Sequence, residues 1–160
     1  MDTLILDIPK INGESLLDGY KDKIEILSFS HGIAMQITGD VSNTERTSGK
    51  PNHQDFTFTK YMDASTPHLN DACNKATGLG TVKFYILRND GTDMLILMEY
   101  EMSNAIISSV SIGGGGGDKP VETLTINYSA LKQTYHSQKE EVGKKGKIET
   151  SWDLATNKGK

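Results

Sequence analysis

Residues 54–73 read QDFTFTKYMDASTPHLNDAC, and this stretch writes a strand, a turn and a short helix in succession. Phe56, Phe58 and Met62 alternate with Thr57, Thr59 and Tyr61, the period-two pattern of a half-buried strand. The period then changes. Ser65 or Thr66 is suited to an N-cap, and Pro67 suits the first helical position, where its missing N–H has no partner to lose. Leu69, Ala72, Cys73 and Ala76 follow at i, i+3, i+4 and i+7, one apolar face of a short helix, with Gly78 placed to end it in a left-handed conformation.

Outward from this stretch, alternation of period two dominates the chain. Leu4, Leu6 and Ile8 make a first strand that stops at Pro9, and the turn signals Asn12-Gly13 and Asp18-Gly19 make residues 12–22 a loop. Residues 23–37 read as one strand with a bend at Gly32. Its apolar parity is Leu27, Phe29, Ile33, Met35 and Ile37, with His31 among them. Ile24 and Ile26, then Ser28 and Ser30, occupy the other parity. Residues 39–53, GDVSNTERTSGKPNH, are almost wholly polar, a long loop of the kind that usually has a job. Residues 81–88 and 93–102 flank Asn89-Asp90-Gly91 and form a hairpin. Residues 105–112 make a strand that stops at five glycines, Gly113 to Gly117. Residues 122–135 alternate with one change of parity, read as a β-bulge near Ser129 or Ala130. A last strand, residues 147–154, carries the single tryptophan, Trp152. About eight strands and one helix predict an all-β fold: one β-barrel of two packed antiparallel sheets with a helix on its side.

At 160 residues the chain suits a single domain able to bury ~70% of the surface it exposes when unfolded. A net charge of −4 and a pI near 5.5 argue against nucleic acid as the partner. The six lysines between Lys139 and Lys160 stand beside four carboxylates and three glycines, a solvated end rather than a phosphate-binding patch. No run approaches the ~18 apolar residues of a membrane helix, so no membrane insertion is expected. Asp2 and Asp7 stand where a secretory signal needs positive charge. The lone Cys73 excludes an internal disulfide and a thiolate-rich zinc site, consistent with folding in a reducing cytoplasm.

Chemistry is sparse. A phosphate loop needs Lys and then Ser or Thr after its last glycine, whereas Asp118 follows Gly117. His31, His53, His68 and His136 have no metal-ligand spacing. Cys73 lies on an apolar stripe, where a small core residue is expected rather than a nucleophile. Glu99 and Glu101 share one face of a strand and are the sole candidates for carboxylate catalysis; alternation with Met and Tyr instead suits a solvated sheet face. No catalytic, cofactor-binding or metal-binding residue is assigned. Two strands are apolar on both parities: Ile24 and Ile26 beside Leu27, and Tyr85 and Leu87 beside Phe84 and Ile86. Either the helix or a neighbouring copy of the chain has to cover the surplus.

In order, GES (residues 13–15), IEILSFSHG (24–32), the 54–73 block, SSVSIGGGGGD (108–118), ETLTINYSALKQTY (122–135) and SWDL (151–154) resemble the haemolysin-coregulated protein (Hcp) family of the bacterial type VI secretion system. FTKYMDASTP is the most specific of these blocks, and together they span nearly the whole chain. The resemblance implies a homohexameric ring with a wide lumen and a fold similar to phage tail-tube proteins. Rings stack into a tube that a contractile sheath expels behind a spike protein, with small effectors carried inside. It implies a structural protein rather than an enzyme, made in the cytoplasm and exported without a signal peptide. The chain ends soon after SWDL, as expected of a plain tube subunit. Ser28 and Ser30 are then candidates to line the lumen. The long loop, with Thr44, Glu45, Arg46, Thr47, Ser48 and Lys50, is the candidate for ring stacking. His31, where the family often has an aromatic residue, suggests pH-sensitive assembly. The alternative reading is a secreted effector-binding module or chaperone that forms rings without long tubes.

Overall fold

A computed structural model of the chain describes residues 2–37, 50–89, 91, 94–136 and 146–159. The strands in chain order are β1 (Asp2–Asp7), β2 (Ile24–Ile26), β3 (Ser28–Ser30), β4 (Ile33–Ala34), β5 (Asn52–His53) and β6 (Phe56–Tyr61). The helix α1 (Thr66–Asn74) comes next. It is followed by β7 (Val82–Asn89), β8 (Met94–Ser103), β9 (Ile106–Gly113), β10 (Val121–Asn127), β11 (Ala130–His136), β12 (Lys147–Asp153) and β13 (Lys158–Gly159). They form a seven-stranded sheet, β13-β12-β11-β8-β7-β1-β2, and a four-stranded sheet, β3-β6-β10-β9, with a two-stranded ribbon β4-β5. Every pairing is antiparallel.

The alternation explains the core. Phe56 and Phe58 of β6 and Leu124 and Ile126 of β10 meet Leu6, Val82, Phe84, Met102 and Leu131 of the large sheet, all buried. Phe58 packs edge-on to Phe84 at 4.9 Å and Phe56 edge-on to Tyr100 at 5.1 Å, geometries that suit aromatic quadrupoles. α1 closes one side, with Leu69 and Ala72 buried beneath it.

The all-β expectation with a single flanking helix holds, but the two sheets face one another without closing into a barrel. Among the described residues no ladder joins them. The chain instead crosses between sheets at Leu27, whose N–H donates to the Thr59 carbonyl at 2.7 Å, at Asn104, and at Tyr128 and Ser129. These crossings account for two further differences. Residues 23–37 are not one strand: the chain changes sheets at Leu27 and bends again at Gly32. There a Cβ would sit 2.8 Å from the Gln54 side-chain oxygen. The parity change near Ser129 and Ala130 is likewise a passage from β10 to β11, not a bulge. The register shifts fall elsewhere, between Thr125 and Ile126 and between Ile86 and Leu87.

The helix begins as expected, with Pro67 in its first turn, but Ser65 donates its hydroxyl to Asp63 rather than capping the helix. It ends earlier than Gly78. Ala76 takes the left-handed conformation (φ 48°), its N–H bonding the Cys73 carbonyl and that of Thr77 bonding the Ala72 carbonyl, a Schellman ending. A Cβ is strained there. Ala76→Gly should therefore stabilise the fold by about 1 kcal/mol, read as a rise in thermal midpoint. An unchanged or lower midpoint would dismiss that account of the helix end.

Candidate functional site

The outer face of the four-stranded sheet is built by register. Ser28 and Ser30 of β3 stand opposite Thr59 and Thr57 of β6. Those threonines stand opposite Thr123 and Thr125 of β10. Thr123 and Thr125 in turn pair with Ser111 and Ser109 of β9, where the register shift adds Ser108. The hydroxyls are linked at one end: Ser108 Oγ lies 2.5 Å and Ser109 Oγ 2.7 Å from Thr125 Oγ1. Ser108 also donates to Asp55 Oδ2 at 2.7 Å, and Asn127 donates to Asp55 Oδ1 at 2.8 Å. Ser28 and Ser30, expected together on one parity, are both exposed on this face. Of the other seven hydroxyls, the sequence sets Thr57 and Thr59 opposite Phe56 and Phe58 by parity but does not join any of the seven to Ser28 and Ser30. Each strand's alternation placed them, but only the register joined them into one surface.

No Lys, Arg, Asp or Glu side chain of these four strands points outward. The two charges they contain, Lys60 and Glu122, share the parity of Phe56, Phe58, Leu124 and Ile126 and are fully buried. Lys60 Nζ sits 2.5 Å from Glu122 Oε1 and 2.9 Å from Asp63 Oδ1, and donates to the Tyr61 carbonyl at 2.9 Å. Thr66 Oγ1 donates to Glu122 Oε1 at 3.2 Å, and the Ser65 N–H donates to Asp63 Oδ1 at 2.9 Å. Burial alone would raise the Asp63 carboxyl. Hydrogen bonds from Ser65 and Lys60 and the Lys60 charge more than reverse this and hold it below the ordinary range. The FTKYMDASTP block thus binds β6, β10 and the start of α1 through one buried ionic node. The signal for it was the strict alternation itself, which put Lys60 in step with two phenylalanines.

Both margins of this sheet carry exposed apolar side chains. Along one run Leu27 (47%), Phe29 (36%), Ile33 (49%), Met35 (40%) and Ile37 (56%) remain open, and β9 at the far edge exposes Ile106 and Ile112. The parity that looked most apolar in residues 23–37 is therefore the uncovered one, while Ile24 and Ile26 go into the core. The helix does not cover the surplus.

The fold joins two of the four histidines. His31 Nε2 and His53 Nδ1 lie 2.6 Å and 2.8 Å from the hydroxyl of the buried Tyr128, and His31 stacks on Phe56 at 4.1 Å. A phenol has one proton to give, so with both rings neutral one accepts it and the other donates its N–H. Burial lowers the pKa of both rings, and for His31 the neighbouring His53 charge adds to it; Asp55 is the carboxylate facing Tyr128. A depressed folded-state pKa contributes stability that is complete above the unfolded value of 6.5 and lost as pH falls through the folded one. The thermal midpoint should therefore drop between about pH 7 and 5, less steeply in His31→Phe. An equally steep drop in that variant would assign the sensitivity to other groups.

Other candidates are placed apart from this surface. Glu99 and Glu101 lie on the outer face of the large sheet: Glu101 is 3.6 Å from the Lys83 ammonium, and Glu99 is 3.8 Å from the His136 ring. Lys132–Glu149 and Lys23–Asp7 pair in the same sheet or at its edge. Cys73 is half-buried against the core. Thr44, Glu45, Arg46, Thr47 and Ser48 lie outside the described residues; Lys50 is exposed just before β5. Among the described residues no three His, Cys, Asp or Glu side chains are grouped to hold a metal ion, and no helix is long and apolar enough to cross a membrane.

Comparison with known proteins agrees along nearly the whole length. A family model described as "Type VI secretion system effector, Hcp" matches residues 5–135. Protein hcp1 of Pseudomonas aeruginosa is 30% identical over 156 residues, 96% of this chain and 96% of the relative. A solved structure described as a type six secretion system protein superposes with a TM-score of 0.91 at 28% identity, covering 100% of each chain. Hcp1 from Salmonella typhimurium superposes with a TM-score of 0.80 at 24% identity over 99% of this chain and 98% of its own, a likeness of fold.

Proposed function

This chain belongs to the Hcp family of type VI secretion proteins, and we propose that it is a structural subunit that closes into hexameric rings, its hydroxyl face lining the lumen. The observation that carries this reading is the pairing of that charge-free face with apolar margins on both sides. A head-to-tail contact between two different margins generates a ring when the rotation closes. Six four-stranded sheets joined at their edges would set about 24 strands at ~4.8 Å, a bore of roughly 40 Å across before side chains. In this reading Ser28 and Ser30 face the lumen. The segment containing Thr44, Glu45, Arg46, Thr47, Ser48 and Lys50 bridges to the next ring. The stacked tube is expelled with its spike protein by a contractile sheath, carrying small effectors. No step in this role calls for catalysis, and Glu101 is paired with Lys83.

Native mass and electron microscopy test it together. The expected particle has six times the 17.5 kDa of one chain and an open centre. A monomer without hollow particles at high concentration overturns the proposal. Rings that never stack at any concentration favour the effector-binding module over the tube.

A further inference from the structure

We propose that His31, His53 and Tyr128 form a binding site for one divalent copper ion, with the two imidazole nitrogens on opposite sides of the ion and the phenol oxygen between them. The site lies within a single chain and does not depend on the ring reading.

Three donors from distant parts of the sequence meet at one point. His31 follows β3, His53 ends β5, and Tyr128 stands where the chain leaves β10 for β11. His31 Nε2 and His53 Nδ1 lie 2.6 Å and 2.8 Å from the Tyr128 hydroxyl, and the His31 ring is held flat against Phe56. The two imidazole centres are 6.1 Å apart, which keeps these nitrogens no nearer to each other than roughly 4 Å. Sequence spacing could not show this set, and its third donor is a phenol rather than a carboxylate or thiol.

The distances select the metal. With bonds of about 2.0 Å, a planar four-coordinate ion sets adjacent donors ~2.8 Å apart and opposite donors ~4 Å apart, whereas a tetrahedral ion spaces every pair at ~3.3 Å. Each histidine is thus placed as a neighbour of Tyr128, and the two histidines are placed opposite each other. Planar nitrogen and oxygen ligation suits Cu²⁺ and Ni²⁺, and Cu²⁺ binds the tighter of the two.

Protonation agrees with this choice. Burial lowers the pKa of both rings, so their lone pairs are available near neutral pH. Burial and then the Asp55 charge hold the Tyr128 phenol above its ordinary range. A dication inverts that balance: as the copper–oxygen bond forms, the phenol proton leaves to solvent. Asp55, bonded by the neutral Ser108 and Asn127, keeps its negative charge to offset the positive one that remains. His53 also lines a groove of about 330 Å³ with Ile33, Pro51 and Trp152, an entry path for the ion. The ribbon β4-β5 is paired at Ile33↔His53 and Ala34↔Asn52, and copper would fasten it to the sheet crossing at Tyr128.

The test uses the untagged full chain and Cu²⁺ in a buffer that does not bind copper, with calorimetry, absorption and EPR on the same samples. One ion should bind per chain with a dissociation constant tighter than about 10 μM at pH 7. Binding should release a proton and give a visible phenolate-to-copper charge-transfer band and an axial EPR signal split by two nitrogens. Free Cu²⁺ at about a hundred times that constant should raise the thermal midpoint by about 5 °C or more. His31→Phe and His53→Phe should each weaken binding at least about tenfold. Tyr128→Phe should abolish the band and the proton release while leaving a two-nitrogen signal. The double variant His68→Ala, His136→Ala should bind as the parent. Should a histidine variant not fold, Tyr128→Phe, which keeps the buried ring, decides by the band. A weaker constant in the parent, a smaller loss in a folded histidine variant, a band that survives Tyr128→Phe, or binding lost with His68 and His136 instead would each overturn the inference.

Discussion

Lys60→Met should destabilise the folded chain by about 3–5 kcal/mol, the cost of leaving a buried carboxylate without its counter-charge. Glu122 is fully buried, and its second carboxylate oxygen has no hydrogen-bond partner among the described residues, so Lys60 and Thr66 carry its whole compensation. For a domain of this size the loss corresponds to roughly 10 °C or more in thermal midpoint. Methionine fills much of the volume, so the effect is electrostatic rather than a cavity. Replacing both partners, Lys60→Met with Glu122→Leu, should return most of the stability, because an ion pair removed whole leaves nothing unpaired. Asp63 retains its bonds from Ser65 in either variant. A midpoint for Lys60→Met within about 2 °C of the parent would mean that water reaches the node and the pair is not what fastens β6 to β10.

This node also marks the limit of what could be read in advance. Residues 54–73 announced a strand and then a helix because a period of two and a period near 3.6 differ over very few residues. Lys60 was legible by parity alone, since any residue in step with Phe56 and Phe58 must point inward. Its partner was not, because Glu122 stands on a strand whose alignment with β6 is settled only by the fold. The same holds for Tyr128, which meets His31 across 97 positions and His53 across 75. Local periodicity says nothing about such distances. Boundaries failed where the chain changes sheets: at Leu27 and at Ser129 the alternation slips because the strand ends, and a slip of one residue looks the same as a bulge on paper. Ala76 fits the apolar stripe by its helical spacing, and only the backbone shows it in the left-handed position.

The two outer faces follow from the same alternation and lead to opposite behaviour. Ion pairs spread over the large sheet make it a solvated surface, to which exposed pairs add little stability. The small sheet has hydroxyls outside and a buried ionic node within, so its outer surface is polar without being charged. The apolar margins lie beside that second face, where self-association would bury them and leave the hydroxyls open.

Ile33→Glu should abolish that association while leaving the subunit folded. Ile33 is 49% exposed on the short ribbon β4-β5, outside the main core, so the monomer loses little by the change and its thermal midpoint should stay within a few degrees. In an assembled ring the same position would bury a carboxylate against apolar neighbours in every interface, and an unpaired buried charge costs several kcal/mol each time. Burial of the run from Leu27 to Ile37, about half exposed in each of five side chains, contributes on the order of 5 kcal/mol per contact, so one such charge is enough to cancel it. The expected result is a fall in native mass to 17.5 kDa with an unchanged unfolding curve. Because a closed ring needs all its contacts at once, partial rings should not persist. Full-size particles from a folded Ile33→Glu chain would show that this margin faces solvent in the assembly. The contact would then have to be sought at Ile148 and Tyr135, the exposed apolar residues of the large sheet.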